Sequence, residues 1–143
     1  MKKKPFIIAI SWTAVAVCMG IIFFLSAQTG GESSNTSSWL LLLLRLPISE
    51  SFLRTAAHFL EFTGLAVLIF NALYRTCGRI RPVLSFAFAS AYAATDEIHQ
   101  LFVEDRACTL SDWAVDSLGA ASGIIVLCVI IYIFSALKRR RLR

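Results

Sequence analysis

Four long apolar stretches limit what this chain can fold into more than any other feature of its sequence. They cover about residues 6–27, 56–74, 82–102 and 113–137. Each has close to the ~20 residues that a helix needs to cross a hydrocarbon layer about 30 Å thick. The stretches are continuous, whereas the strands of a membrane barrel alternate in polarity over about ten residues. We therefore predict an all-α integral membrane protein, a four-helix bundle that forms a single domain over residues 1–143.

The overall composition agrees with a chain whose partner is the lipid bilayer. Hydrophobic residues make up 57% of the sequence and charged residues only 16%. A soluble domain carries about 25% charged residues. This difference excludes a small soluble protein and leaves a multi-pass protein of the cell membrane.

The basic residues predict how the chain is oriented. The net charge of +5 would by itself suggest nucleic acid as a partner, but the basic residues are clustered at 2–4, 75–81 and 138–143. These clusters lie before the first stretch, between the second and third, and after the fourth, so they share one side of a four-span protein. Because positive loops stay inside, we predict cytoplasmic N and C termini and no nucleic-acid partner. The other side carries only Arg45, Arg54 and Arg106.

The connection between the first and second stretches has two parts. Residues 32–38 are rich in Ser, Asn and Thr, which predicts an exposed loop. Residues 39–44 are apolar but too few to cross the membrane. We predict a short interfacial helix here, anchored by Trp39.

Ionisable residues interrupt two of the apolar stretches at the same depth. His58 and Glu61 are three residues apart and share a helical face. A rise of 1.5 Å per residue places them roughly 25 and 21 Å above the inner edge, and Asp96, Glu97 and His99 roughly 22, 24 and 27 Å above it. An unpartnered charge in the membrane costs about 2.5–3.5 kcal/mol on insertion scales and marks a functional site. We expect the two groups to meet at the outer-leaflet boundary.

The fourth stretch begins with a third polar group. Ser111 is a natural N-cap, and Asp112 lies in the first turn, where a carboxylate favours the helix dipole. Asp116 lies one turn deeper, on a stripe that continues through Gly119 and Gly123. A GxxxG stripe allows close helix packing, so this face, with Asp116, is predicted to look inward.

These residues leave the pairing of the polar groups open. His58 with Glu97, or His99 with Glu61, would satisfy side chains that lipid cannot hydrogen-bond. A network that only locks the helices together is the structural alternative. Hydrogen bonds in membranes average only ~0.6 kcal/mol, which makes such a network a costly way to gain stability.

Four motifs carry a resemblance to a known family. They are FLSAQ at 24–28, RxxxHxxEF at 54–62, TDEIHQxFVxxR at 95–106 and DxxxDxxGxxxG at 112–123. In these the chain resembles the VanZ-like family of small membrane proteins, named for a protein associated with teicoplanin resistance. The resemblance implies a bacterial protein that acts at the cell envelope, in a process linked to glycopeptide resistance. The pair Glu104-Asp105 departs from a Pro-Gly often seen before the Arg, which suggests a differently shaped outer turn.

The polar residues fit an enzyme that faces the outside of the membrane. A divalent cation on the acids and histidines would polarise a water or a phosphate. Guanidinium groups would hold the anionic head group of an envelope lipid or a cell-wall precursor. The candidate catalytic residues, which are also the candidate metal ligands, are His58, Glu61, Asp96, Glu97, His99 and Asp116. The candidate substrate-binding residues are Gln28, Arg54, Gln100, Arg106 and Asp112.

Two other functions remain open from the sequence. One is a non-catalytic protein that binds or modulates a lipid head group or a glycopeptide. The other is a proton-coupled carrier, because intramembrane acids and histidines relay protons. Four short spans make a poor transport path unless the chain forms oligomers, and the sequence does not define its oligomeric state.

Overall fold

The computed structural model describes residues 5–45 and 47–141, and every regular element in those ranges is an α-helix. The all-α prediction is therefore confirmed over the described chain. The elements are α1 (Pro5–Ser26), α2 (Gly30–Leu44), α3 (Glu50–Cys77), α4 (Pro82–Gln100) and α5 (Leu110–Arg141). The predicted basic clusters extend to Lys2, Lys3, Lys4 and Arg143, which lie outside the described residues.

Three of these helices, α1, α3 and α5, are long and apolar enough to cross a membrane. Helix α4 has 19 residues, and a length of about 28 Å still matches the hydrocarbon layer. Its composition is more polar because Asp96, Glu97, His99 and Gln100 all fall in its last turns. A fourth span formed by α4 stays a prediction.

Helix α3 is the central element, and each of the other four helices contacts it. Its buried side includes Phe62, Leu65, Ala66 and Ile69, which form the core with residues of α1, α4 and α5. By contrast, α1 and α5 leave large apolar side chains exposed on their outer faces, among them Phe24 at 71% and Phe134 at 69%. An apolar surface of this kind is suited to contact with lipid.

Helices α3 and α5 run in the same direction and pack closely through two glycines. A Cβ on Gly119 would collide with the backbone carbonyl of Phe59, and one on Gly123 would lie 2.8 Å from the carbonyl oxygen of Thr63. The Thr63 hydroxyl also lies 2.9 Å from the Gly119 carbonyl oxygen, to which it can donate. The predicted close-packing GxxxG face is thereby confirmed, and Asp116 on the same stripe is fully buried.

Helix α2 corrects the prediction of an exposed loop over residues 32–38. The helix begins at Gly30 because Thr29 and Glu32 form a capping box. The Thr29 hydroxyl accepts the Glu32 backbone N–H, and the Glu32 carboxylate accepts the Thr29 backbone N–H. The T-x-x-E spacing that signals this cap is visible in the sequence. The membrane-interface position of the helix stays a prediction.

The turn between α1 and α2 packs tightly against the loop between α4 and α5. The Gly30 backbone N–H donates to the Glu104 carbonyl oxygen at 3.1 Å. A Cβ on Gly30 would collide with the backbone carbonyl of Asp105. Asp105 has φ of 55°, a left-handed conformation that Asp tolerates and that glycine adopts readily. The glycine that the family resemblance leads one to expect at position 105 could therefore adopt the same backbone conformation.

The start of α5 corrects the prediction that Ser111 caps it. Thr109 precedes the helix, and its hydroxyl accepts the Asp112 backbone N–H at 3.1 Å, which is the N-cap geometry. The Ser111 hydroxyl instead lies 2.8 Å from the Thr109 hydroxyl. Thr109 thus occupies the capping position two residues earlier than predicted.

Candidate functional site

The polar groups that are far apart in the sequence meet where α1 ends and where α3 and α5 begin. His58 of α3, Asp96 of α4 and Asp116 of α5 each offer one ligand-type atom, and these atoms all lie within 4.8 Å of one another. The depth argument predicted that the His58 and Asp96 groups would be level. The structure places them together and adds Asp116 as the third member.

Asp116 and His58 face each other across the α3–α5 contact. The His58 Nδ1 lies 3.5 Å from the Asp116 Oδ1. The Asp116 side chain is fully buried, whereas that of His58 is 20% exposed. Neither carboxylate oxygen of Asp116 has a hydrogen-bond partner among the described residues, and the same holds for the His58 Nδ1. A buried carboxylate without partners is energetically costly, so this arrangement calls for a further group.

Asp96 is held by two donors on one of its oxygens. The Ser26 hydroxyl donates to Asp96 Oδ2 at 2.8 Å, and the Gln100 side-chain amide donates to the same atom at 3.2 Å. The other oxygen, Oδ1, has no hydrogen-bond partner in the described part of the chain. Sequence reasoning missed Ser26, although it lies within the FLSAQ motif and is buried.

Three of the predicted catalytic residues lie apart from this group. The Glu97 Oε2 accepts the Thr109 backbone N–H at 2.9 Å and so ties the end of α4 to the start of α5. The His99 ring stacks on Phe23 with ring centroids 4.3 Å apart. Glu61 lines a neighbouring cavity.

The sequence left the pairing open, with His58–Glu97 and His99–Glu61 as two examples, and neither of these pairs is found within residues 5–45 and 47–141. The only histidine–acid ion pair in those ranges is the one between His58 and Asp116. Glu97 is one residue from Asp96, and a step of about 100° on the helix turns it away from His58.

Two cavities adjoin the cluster and share Arg54, His58 and Arg106 in their walls. The first has a volume of about 260 Å³ and is also lined by Gln100 and Asp112. The second has a volume of about 240 Å³ and is also lined by Gln28, Glu61 and Ser26. All the residues predicted to bind substrate thus line one cavity or the other: Gln28, Arg54, Gln100, Arg106 and Asp112.

Arg106 is hydrogen-bonded to the α1–α2 turn. Its Nε donates to the Gln28 carbonyl oxygen at 3.3 Å, and the residue is half-buried. Partial burial, together with the neighbouring Arg54 guanidinium, lowers the pKa of Arg106. An arginine nevertheless stays charged at neutral pH, so two positive groups line the same walls.

The site therefore combines two chemical environments within a few side chains. Arg54 and Arg106 present positive charge to the cavities, which suits an anion such as phosphate. Behind them lie buried carboxylates that suit a metal ion. His58 borders both environments and has the chemistry of a general acid or base.

The comparisons with known proteins agree with the motifs. A family model described as VanZ/LLP1 matches residues 11–134, a range that contains every candidate site residue. No curated protein and no solved structure matches the chain.

Proposed function

The chain belongs to the VanZ/LLP1 family, and we propose that it is a multi-pass membrane protein that acts on a phosphate-bearing lipid at the cell envelope. The substrate class is an envelope lipid or a cell-wall precursor whose phosphate enters the cavities beside His58. The chemistry is metal-assisted, and its biological consequence is glycopeptide (teicoplanin) resistance.

The observation that carries this proposal is the shared position of Arg54 and Arg106. Both guanidiniums line both cavities, together with His58. Two like charges at one site repel each other, and a phosphate group removes that repulsion by pairing with both. Guanidinium groups bind phosphate with two parallel hydrogen bonds, which also orients the head group.

The direction of the helices supports a site that faces outside. The Trp12 side-chain N–H donates to the Thr76 hydroxyl at 3.0 Å, so the start of α1 lies beside the end of α3. The described basic residues at 75–81 and at 138–141 lie at or just beyond the C-terminal ends of α3 and α5, which run in parallel. With α4 as the fourth span, these basic ends would be cytoplasmic and Arg54 and Arg106 would lie at the outer boundary.

His58 is the residue we assign to proton transfer or metal binding. It borders the cavities on one side and meets the buried Asp116 on the other. A water placed against the phosphate from this side could attack the phosphorus atom and break its bond to the lipid oxygen. The proton that the water gives to His58 would then pass to that leaving oxygen. A divalent cation would lower the pKa of that water and polarise the phosphate.

The test compares phosphate-bearing lipids from cells with and without the protein. We expect the amount of one such lipid to change with the wild-type chain, and this change to be lost in Arg54→Gln and Arg106→Gln. Arg45→Gln is the matched control, because Arg45 lies beyond the cavities, is exposed and loses the same charge.

A second measurement separates catalysis from binding. Purified protein is mixed with vesicles that contain anionic phospholipid, and binding is compared for the same variants. Binding that depends on Arg54 and Arg106 without any change in cellular lipids would indicate the non-catalytic function. If both variants match the wild type in lipid content and in vesicle binding, the proposal fails.

A further inference from the structure

We infer that His58, Asp96 and Asp116 form the binding site for one divalent metal ion of the Zn²⁺ class. This narrows six predicted ligands to three. The use of the ion in chemistry rests on the proposed function, whereas its binding does not.

The distance between the His58 and Asp116 ligand atoms fits two ligands of one ion better than a direct hydrogen bond. The His58 Nδ1 and the Asp116 Oδ1 are 3.5 Å apart, longer than the ~2.9–3.0 Å of a typical N–H···O bond. Two ligands at about 2.0–2.1 Å from a tetrahedral ion lie roughly 3.4 Å from each other. The observed spacing is therefore close to that of two ligands around one ion.

The burial of the carboxylates points to the same conclusion. Asp116 is 0% exposed and Asp96 is 3% exposed. Both Asp116 oxygens, the Asp96 Oδ1 and the His58 Nδ1 lack hydrogen-bond partners in the described residues. Buried charges in proteins are paired or coordinate metals. A single cation among these atoms would compensate both carboxylates at once.

The hydrogen bonds around Asp96 leave one oxygen free for an ion. Ser26 and Gln100 both donate to Oδ2, so Oδ1 is the atom available as a ligand. Hydrogen bonds of this kind orient the ligands of metal sites. Glu97, in contrast, has one oxygen occupied by the Thr109 N–H and lies outside the group of close ligand atoms.

The ligand set determines the class of ion. One imidazole nitrogen and two carboxylates make a mixed set, and the group contains no thiolate. Imidazole suits transition ions such as Zn²⁺, whereas Ca²⁺ and Mg²⁺ prefer all-oxygen sites. Three protein ligands also leave a position for water or substrate. Because His58 lines the cavities, that position would face Arg54 and Arg106.

The experiment titrates purified, chelator-stripped full-length protein in detergent with Zn²⁺ and measures the heat of binding. We expect one ion per chain, and an affinity reduced at least about 10-fold in Asp96→Asn and in Asp116→Asn. Glu104→Gln is the charge-matched control, because the Glu104 residue is exposed. Glu97→Gln should also retain the wild-type affinity.

Several results would overturn the inference. The first is a wild-type chain that binds no Zn²⁺, and the second is wild-type Zn²⁺ affinity in both aspartate variants. The third is a loss of Zn²⁺ affinity in Glu97→Gln as large as the loss in the aspartate variants. Should the aspartate variants not fold, X-ray absorption on Zn²⁺-loaded wild-type protein decides: nitrogen and oxygen neighbours support the site, and a sulfur neighbour contradicts it.

The metal and lipid proposals can fail separately. Arg54→Gln is expected to abolish the lipid change while Zn²⁺ still binds, because Arg54 lines the cavities and is not a member of the ligand group. A wild-type chain that changes the lipid in cells but binds no Zn²⁺ in the titration would reject the ion site alone. Intact Zn²⁺ binding without any dependence on Arg54 or Arg106 would reject head-group binding alone.

Discussion

Replacing the two glycines of α5 by alanine should weaken both the fold and the site. A Cβ on Gly119 would collide with the Phe59 backbone carbonyl, which cannot rotate away as a flexible side chain could. On Gly123 the Cβ would lie 2.8 Å from the Thr63 carbonyl oxygen, so a move of about 0.6 Å is needed to reach an ordinary contact of 3.4 Å.

The expected magnitude follows from two opposing terms. Overpacking of a buried contact costs about 1–3 kcal/mol, and alanine in a helix gains up to ~1 kcal/mol over glycine. We expect a net loss of roughly 1–2 kcal/mol for each variant, or an apparent melting temperature lower by roughly 3–7 °C for a chain of this length. Gly119→Ala should be the more severe variant, because it also shifts Asp116 away from His58.

Thermal unfolding of the detergent-solubilised protein is monitored by intrinsic fluorescence. The Zn²⁺ affinity of each variant is measured separately by titration. Gly64→Ala is the matched control, because a Cβ there meets nothing within 4 Å. It should keep or raise the melting temperature and leave Zn²⁺ binding unchanged. If Gly119→Ala and Gly123→Ala melt at or above the temperature of Gly64→Ala, the close α3–α5 contact is refuted.

Three further predictions test the ends of the helices. A membrane-impermeant thiol reagent on intact cells should label the exposed Cys108 and not the exposed Cys77, and the opposite pattern would invert the orientation. Ser26→Ala should reduce Zn²⁺ affinity by about 10–100-fold, because it removes a hydrogen bond that orients the ligand Asp96. An unchanged Zn²⁺ affinity would contradict this role of Ser26. Gly30→Ala should lower the melting temperature because its Cβ meets a backbone carbonyl, whereas Asp105→Gly should not, since its φ is positive.

The apolar pattern was enough to predict the four long helices, α1, α3, α4 and α5. A chain in lipid must satisfy its backbone hydrogen bonds internally, so each long apolar stretch becomes a helix. The constant rise of 1.5 Å per residue then sets which residues are level. The groups that contain His58 and Asp96 were expected to be level on this basis, and the structure brings the two residues into one cluster.

The start of α2 could have been predicted from the sequence but was not. Thr29 and Glu32 have the spacing of a capping box, yet the run of small polar residues after them is also typical of a loop. The same ambiguity applies to Thr109 and Ser111 at the start of α5, where either hydroxyl residue suits a cap. Local preference is weak in such segments, and contacts with the rest of the chain decide between the alternatives.

The choice of partners within the site depended on the tertiary structure alone. Neighbouring helix positions differ by about 100° in direction, so Asp96 and Glu97 have nearly the same depth but different neighbours. Which of them meets His58 depends on how far each helix is rotated about its own axis. That rotation is set by distant contacts, such as Gly119 against Phe59, which no local pattern specifies. The sequence by itself thus determined that acidic and histidine side chains lie at matching levels of the long helices, and the packing of α3, α4 and α5 decided that Asp96 and Asp116 lie close to His58.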